Sequence, residues 1–379
     1  MSSFQVPVFD TFLFPLPVRA FIGGEFVDST SDEKHTLISS VNDQVLTKDL
    51  QWANARDVDL AVESSRKGLA LWQAMSNDAR RDALVKYGNL IRQNREQLHW
   101  LEAILTGKDS GFCGFEIDAA VDLFIYYGNM IDKFESEVMA ADEDSIRYTL
   151  RQPWGICAGI CPFNGVIVTL AMKAAPALAC GNSIIVKTSE MNPFSTLFMT
   201  SLARDALFLP GYTFMSGDPT APSTYSSPLY HHRQKDVVLS YIESGKAEAK
   251  LITGGNAVGE NGCYVEPTIF VDPAPNARVL REEIFGPVLV VIRFSTDDDV
   301  LRLANDTEFG LAASVWTADM KRALRFAHKL EAGSVSVNGA GGYHPSVPMG
   351  GWKQSGQGLE NGKEAMLDWT QLKSVALRG

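Results

Sequence analysis

Residues 153–190, PWGICAGICPFNGVIVTLAMKAAPALACGNSIIVKTSE, hold two short apolar runs on either side of a long Ala-rich one. The short runs, Gly155 to Cys161 and Ser183 to Lys187, have the length of strands, and the long run, Val166 to Cys180, has the length of a helix. Two strands joined by a helix form a parallel βαβ unit with a right-handed crossover. The stretch therefore predicts an α/β fold built on a parallel, Rossmann-like sheet.

Polar side chains follow both predicted strands. Asn164 comes just after the first strand, and Lys187, Ser189 and Glu190 lie at and beyond the end of the second. Ligands of open α/β sheets bind outside the carboxyl ends of the strands, so an amide, an ammonium and a carboxylate would share one crevice. The usual G-x-G-x-x-G fingerprint is absent, so these residues alone leave two interpretations open, a ligand site or solvated loop residues.

At these residues the chain resembles the aldehyde dehydrogenase superfamily. That family has a Pro-Trp-Asn-type turn after the first strand and Lys-Pro-Ser-Glu after the second. The corresponding segments here are Pro162-Phe163-Asn164 and Lys187-Thr188-Ser189-Glu190. Further similar segments, in the family's order, are FIGGEFV at 21–27, EIFGP at 283–287 and PMGGWKQSG at 348–356. Several motifs in one order are more specific than any single one.

The resemblance implies the NAD(P)-dependent oxidation of an aldehyde to a carboxylic acid. Asn164 would stabilise the oxyanion, since an amide donor there faces developing charge. Lys187 and Glu190 would hold the adenosine ribose, with Glu190 favouring NAD over NADP because its carboxylate repels a 2′-phosphate. Glu283 would hold the nicotinamide ribose, with Phe285 beside it. The remaining residues that the resemblance assigns to cofactor binding are Pro162, Phe163 and Ser189.

Three functional segments of the family are missing from this sequence. They are the F-x-N-x-G-Q-x-C segment with the nucleophilic thiol, the G-S-T-x-x-G turn facing the cofactor pyrophosphate, and the E-L-G-G-K segment with the general base. All three belong between the positions that match Gly211 and Ser216. One contiguous loss of roughly a hundred residues explains the three absences together.

None of the five cysteines has the surroundings of the family's nucleophile. Cys113 is expected in an interhelical loop, Cys157 and Cys161 on a strand, Cys180 at a helix end, and Cys263 before a strand. Such scattered cysteines, with no C-x-x-C pair, are typical of free thiols in a reducing compartment. We therefore expect a cytoplasmic protein with no cysteine relocated to act as the nucleophile.

Composition excludes several other classes of partner. The 379 residues carry a formal net charge of -11 with a pI near 5.1, which argues against nucleic acid and anionic membranes. The sequence has no apolar run of membrane-spanning length, and its apolar N-terminus lacks the basic region of a signal peptide. No histidines and cysteines cluster with the spacing of metal ligands, so no metal is expected.

Apolar periodicity predicts further elements on both sides of the βαβ unit. Helices are predicted at Asp57 to Met75, Asp78 to Gln93, Glu96 to Thr106, Phe115 to Met139, Asp236 to Lys246, Asp297 to Asp306 and Asp319 to Ala332. Strands are predicted at Tyr264 to Val271, Pro287 to Phe294, Leu311 to Thr317 and Ser334 to Asn338. Asn192 is predicted to cap a helix that has Pro193 at its first position and ends near Leu207.

These elements predict two units. Residues 1–211 would form an N-terminal arm, helices and a truncated dinucleotide-binding domain, with 340–379 returning to it, and 212–339 the remnant of the catalytic α/β domain. The alternating strand at 145–151 resembles the family's outlying strand, which pairs across subunits with a strand near the C-terminus, here 369–375. An unpaired strand edge needs a partner, which favours a homo-oligomer.

Two functional interpretations remain. The first is an aldehyde dehydrogenase by descent, impaired in this chain, acting on a small-molecule aldehyde or related metabolite with NAD bound weakly or not at all. The second is a catalytically dead or repurposed relative, such as a binding subunit or a non-redox biosynthetic enzyme. In either case, only two strands of the cofactor-binding sheet remain in the sequence. This remnant is expected to expose apolar surface and an unpaired strand edge.

Overall fold

The computed structural model describes residues 15–139, 145–207, 228–339, 341 and 343–378. The predicted junction between Gly211 and Ser216, and most of the predicted N-terminal arm, lie outside these residues. The chain opens with two hairpins, β1 (Ala20–Ile22) with β2 (Glu25–Val27) and β3 (Lys34–Ile38) with β4 (Val45–Gln51).

Four helices follow the hairpins. They are α1 (Ala55–Ala74), α2 (Asn77–Gln93), α3 (Arg95–Thr106) and α4 (Ser110–Met130). Three of these helices are capped at the N-terminus by a side chain. Asn54, Ser76 and Asp109 each accept a hydrogen bond from a backbone N–H of the first turn. The buried faces of α2 and α4 contribute to the largest apolar core.

The predicted start of α4 was wrong. The helix begins at Ser110 because the side chain of Asp109 caps it, accepting from the N–H of Phe112 at 2.9 Å. Cys113, predicted in a loop, is therefore in the first turn of α4 and fully buried. Gly114 lies against the end of the Arg95 side chain, whose Nη2 is 2.7 Å from where a Cβ would be. The helix also ends at Met130, well before the predicted Met139.

The βαβ unit is present as predicted. After β5 (Ser145–Pro153) come β6 (Ile156–Ile160), α5 (Val166–Ala179) and β7 (Ser183–Lys187). β6 and β7 are parallel, with Ile156 opposite Ser183 and Ile160 opposite Lys187. Both polar loops therefore leave the same edge of the sheet. Among the described residues this sheet has only these two strands.

The next helix, α6 (Phe194–Leu207), begins later than predicted. Pro193 precedes it and accepts the first helical hydrogen bond, from the N–H of Leu197. The prediction that Asn192 caps this helix through its side chain was wrong. Its Oδ1 makes no hydrogen bond within the described part of the chain, and its Nδ2 is directed elsewhere. The amide of Asn192 donates to a buried acidic side chain instead of capping the helix.

The second half alternates helices and short strands. Its elements are α7 (His232–Glu248), β8 (Lys250–Thr253), β9 (Thr268–Val271), α8 (Arg278–Arg281), β10 (Val288–Val291), α9 (Asp297–Asn305), β11 (Phe309–Gly310), β12 (Ala312–Val315), α10 (Met320–Lys329) and β13 (Ser334–Val337). β9 pairs parallel with β10 and antiparallel with β8, while β12 and β13 form a separate parallel pair. Each sheet packs one face on an apolar core.

Exposed apolar side chains lie on these small sheets, as expected for a shortened chain. Ile160, at the carboxyl end of β6, is 71% exposed, Leu289 on β10 is 56% exposed, and Trp316, just after β12, is 69% exposed. Elsewhere, none of the described helices combines the length and apolarity needed to cross a membrane.

The C-terminal residues return to the first half of the chain. After β14 (Trp352–Lys353) and α11 (Glu364–Asp368), β15 (Thr370–Arg378) pairs antiparallel along the whole of β5. The predicted C-terminal partner strand is therefore correct, and the pairing seen here is made within the chain. Ala365 and Met366 of α11 complete the largest core.

Candidate cofactor site and its buried support

Aromatic rings pack around the turn that follows β6. The ring of Phe163 makes edge-to-face contacts with Tyr230 and Phe285, at centroid distances of 5.0 and 6.3 Å, and with the imidazole of His231 at 6.1 Å. The hydroxyl of Tyr230 donates to the backbone O of Asn164 at 3.1 Å. The structure therefore brings Phe285 to the Phe163–Asn164 turn, although the two segments are far apart in sequence.

The loop after β7 carries an ion pair. Nζ of Lys187 lies 2.6 Å from Oε2 of Glu190, and this hydrogen bond lowers the pKa of the Glu190 carboxyl. Both side chains are exposed to solvent. Ser189, by contrast, is buried, and its hydroxyl accepts from the N–H of Met191 at 3.2 Å. Ser189 thus shapes the loop, and its hydroxyl is turned inward.

The Glu283–Phe285 segment forms an exposed rim. Phe285 has a φ of +53°, a left-handed conformation that a bulky residue adopts only when its surroundings impose it. The side chain of Gln234 helps to impose it, because its Nε2 donates to the backbone O of Ile284 at 3.3 Å and of Phe285 at 3.1 Å. Glu283 is exposed and lines an open hollow of about 320 Å³ beside Phe285.

Gly286 fixes this rim against α7. A Cβ at this position would lie 2.6 Å from Cγ2 and 2.9 Å from Cγ1 of Val238, a fully buried residue. We expect Gly286→Ala to cost about 1–3 kcal/mol of unfolding free energy, the usual range for overpacking. Urea unfolding followed by circular dichroism measures it. In a Val238→Ala background the added methyl has room, so the same substitution should cost much less there; equal costs in both backgrounds would contradict this account.

A buried ionic cluster lies behind the aromatic turn. Nζ of Lys108 is 2.6 Å from Oε2 of Glu102 and 2.9 Å from Oε2 of Glu116, and all three side chains are at most 3% exposed. Burial by itself lowers the pKa of Lys108, but the two carboxylates outweigh it and raise that pKa. Burial raises the pKa of Glu116 to about 7, although Lys108 opposes the shift. The Glu116 carboxyl therefore titrates near neutral pH.

The titration of Glu116 should make stability depend on pH. Its pKa in the fold, about 7, is above its ordinary value of 4.5, so the folded state holds this proton more tightly than the unfolded state. The resulting stabilisation is complete below pH 4.5 and is lost as the pH rises through 7. We expect the urea midpoint to fall between about pH 5 and about pH 8. Glu116→Gln should flatten this slope, whereas Glu243→Gln, at an exposed site, should not; an unchanged slope in Glu116→Gln would refute the assignment.

A single amide connects the cluster to the turn. Nδ2 of Asn192 lies 3.2 and 3.1 Å from the two carboxylate oxygens of Glu102, and 3.2 Å from the backbone O of Phe163. Ser195, at the start of α6, donates to Oε1 of Glu102 at 2.5 Å. The buried Glu102 carboxylate on α3 is thus linked to the backbone of the candidate site through the Asn192 amide.

Sequence reasoning missed this support, although a signal existed. Glu102 lies between Leu101 and Ala103 in the apolar run HWLEAIL, where a solvated charge would not be expected. A charge inside an apolar helical run is buried only if it is paired. No comparable signal marks Tyr230 and His231, because their role depends on contact with the ring of Phe163, which is distant in sequence.

The five thiols are all described, and none is activated. Burial raises the pKa of every one of them: to about 11 for Cys161 and Cys263, to about 12 for Cys180, and above its ordinary value for Cys113 and Cys157. Cys161, nearest in sequence to Asn164, is only 2% exposed. A nucleophilic thiolate requires a lowered pKa and access to the substrate. No cysteine of this chain has a lowered pKa, and each is buried or only partly exposed.

Comparison with known proteins identifies the family. A model described as "Aldehyde dehydrogenase family" matches residues 26–214 and 212–375. The aldehyde dehydrogenase of Davidiella tassiana is 27% identical over 490 residues, covering 100% of this chain and 99% of the relative; that of Alternaria alternata is 28% identical over 491 residues, with the same coverage. The two matched pieces meet at 212–214, between Gly211 and Ser216, which is consistent with one contiguous loss.

Solved structures show the same relationship. The P. syringae AldA indole-3-acetaldehyde dehydrogenase, a mutant in complex with NAD+ and IAA, has a TM-score of 0.90 at 29% identity, covering 97% of both chains. The aldehyde dehydrogenase KauB from Pseudomonas aeruginosa has a TM-score of 0.90 at 27% identity, with the same coverage. The predicted aldehyde dehydrogenase-like α/β fold is confirmed, and the chain belongs to the aldehyde dehydrogenase family.

Proposed function

We propose that this chain keeps the adenosine-binding half of its family's cofactor site but does not oxidise aldehydes by the family's thiol route. The state of the cysteines is the observation that carries the proposal. A nucleophilic thiol is deprotonated and accessible, whereas burial raises the pKa of all five thiols here. The sequence offers no F-x-N-x-G-Q-x-C or E-L-G-G-K segment in their place.

The residues present fit part of NAD. The ion pair of Lys187 and Glu190 stands exposed at the end of β7, where it would meet the adenosine ribose, and the Glu190 carboxylate would disfavour the 2′-phosphate of NADP. Glu283 and Phe285 form the rim proposed for the nicotinamide ribose. The G-S-T-x-x-G turn is absent from the sequence, so the helix N-terminus that would face the pyrophosphate is lost. NAD, when bound, supplies the hydride acceptor.

Asn164 would keep an electrostatic role if an aldehyde or related small metabolite enters. Its backbone O is held by Tyr230 and the preceding carbonyl by Asn192, so the turn that carries its amide is fixed from both sides. A fixed donor stabilises negative charge on a carbonyl oxygen without reorganising. Without a thiol beside it, the amide can orient a carbonyl ligand but cannot convert it.

A second function, that of a repurposed binding subunit, is favoured by the exposed apolar surface. Ile160, Leu289 and Trp316 are each more than half exposed. Leu372 and Leu377 on β15 are also exposed, which supports a contact between copies of the chain along this strand. We propose a cytoplasmic protein with units at 1–211, joined by 340–379, and at 212–339.

Calorimetry with NAD, NADP and AMP tests the cofactor proposal. We expect NAD to bind with a dissociation constant of about 100 μM or weaker, since several kcal/mol of pyrophosphate contacts are lost. AMP should bind almost as well as NAD, and NADP more weakly. Glu190→Ala should abolish binding, while Glu243→Ala, an exposed glutamate on α7, should not. Low-micromolar NAD binding that survives Glu190→Ala would overturn the proposal.

A further inference from the structure

Asn192 occupies the point where the two polar loops of the site meet. It follows Glu190 by two residues in the loop after β7, and its Nδ2 donates to the backbone O of Phe163, which precedes Asn164 in the turn after β6. The same Nδ2 donates to the carboxylate of Glu102 on α3. Asn192 and Glu102 are both fully buried.

The hydrogen-bond inventory of an amide explains the arrangement. Nδ2 carries two hydrogens, one for the Glu102 carboxylate and one for the Phe163 carbonyl. A flipped amide would turn Oδ1 toward these acceptors and repel both, so the orientation of Asn192 is fixed by its partners. Lys108 and Ser195 hold Glu102 in turn, at 2.6 and 2.5 Å.

We propose that Asn192, held by Glu102, is a positioning residue that sets the turn of Asn164 against the loop of Lys187 and Glu190. The inference rests on the proposed function, because it assigns a purpose to that site's geometry. Ser189 shapes the β7 loop locally, but among the described residues its hydroxyl bonds only within that loop. The Asn192 amide contacts the other loop directly. Losing it would let the two loops move independently while each strand stays paired.

A role-reversed pair separates positioning from plain stability. Asn192→Asp with Glu102→Gln restores an amide–carboxylate hydrogen bond between the two positions and keeps the net charge of the cluster. The carboxylate introduced by Asn192→Asp cannot donate, however, so the Phe163 carbonyl is left without its partner. We expect Asn192→Asp alone to lower the urea midpoint, and the double variant to recover most of it.

Two readouts in the double variant decide the proposal. Hydrogen exchange in peptides covering residues 162–168 should be about tenfold faster than in the wild type, the effect of one lost hydrogen bond. Exchange in the β9 peptide should be unchanged. AMP affinity, by calorimetry, should fall by a similar factor. Wild-type exchange in the turn together with wild-type AMP affinity would overturn the inference.

The outcomes remain distinguishable in every case. If the wild type does not bind AMP, the proposed function fails, and the exchange rate of the turn still decides the positioning role. If the double variant does not fold, Ser195→Ala and Asn192→Ala are compared. Each removes one donor to Glu102, but only the second releases Phe163, so faster exchange of the turn is expected only in Asn192→Ala. Equal exchange in the two variants would overturn the inference.

Discussion

Inserting the missing segment between Gly211 and Ser216 is expected to raise aldehyde-dependent NADH production from background to about 1 per second or more. The donor segment can be taken from one of the two aldehyde dehydrogenases that align over the whole chain. It returns the thiol, the general base and the pyrophosphate turn together. Members of such a catalytic set fail as a unit, so the expected gain is about a thousandfold to a millionfold.

The matched control is the same insertion with its nucleophilic cysteine changed to alanine. This control should restore cofactor affinity but leave turnover at background, since only the thiol is missing from it. The assay uses purified protein and a panel of aliphatic and aromatic aldehydes. Turnover of about 1 per second by the unaltered chain, abolished by Cys161→Ala or by alkylation, would contradict the proposal and identify a relocated nucleophile.

Replacing Lys108 by methionine is expected to cost about 3–5 kcal/mol of unfolding free energy. The substitution removes the cation that neutralises Glu102 and Glu116 and leaves two carboxylates buried together. Methionine fills a similar volume, so the loss reports charge rather than a cavity. Without Lys108 the pKa of Glu116 should rise further, so the variant should be weakest above about pH 8.

Urea unfolding at two pH values measures this effect, with Lys34→Met as the control. Lys34 is also 2.7 Å from a carboxylate, that of Asp49, but both side chains are more than half exposed, so its removal should change little. Adding Glu116→Gln to Lys108→Met should recover part of the lost stability, because one uncompensated charge is removed. A Lys108→Met variant as stable as the wild type would show that the cluster is solvated in solution.

The βαβ unit and its loop residues were predictable because they are local. The strand lengths, the intervening helix and the ends at Lys187 and Glu190 follow from one contiguous stretch, and the parallel pairing follows from its order. Helix boundaries that are set by a single capping side chain were harder to predict from the sequence. The start of α4 depends on the side chain of Asp109, which caps the helix. From the sequence alone, two nearby glycines predict that the helix has not yet begun there.

The support of the site could not be predicted, because it consists of contacts between distant segments. Asn192 has the sequence signature of a helix cap, yet the buried Glu102, 90 positions earlier, takes its amide. Likewise, the ring of Phe163 meets Tyr230 and Phe285 only once the chain has folded. Whether β15 pairs with β5 of its own chain or of another is equally invisible to periodicity, which gives the same alternation in both cases.

The return of the C-terminal strand also constrains the order of folding. The hydroxyl of Tyr127 bonds to the backbone O of Gly362, 235 positions later, and the side chain of Asn182 bonds to the backbone O of Trp369, 187 positions later. During synthesis the helices and β5 emerge long before the residues that complete them. Pairings over such separations form slowly and leave apolar faces and strand edges uncovered meanwhile. The first half of this chain should therefore be prone to aggregate until β15 has been made.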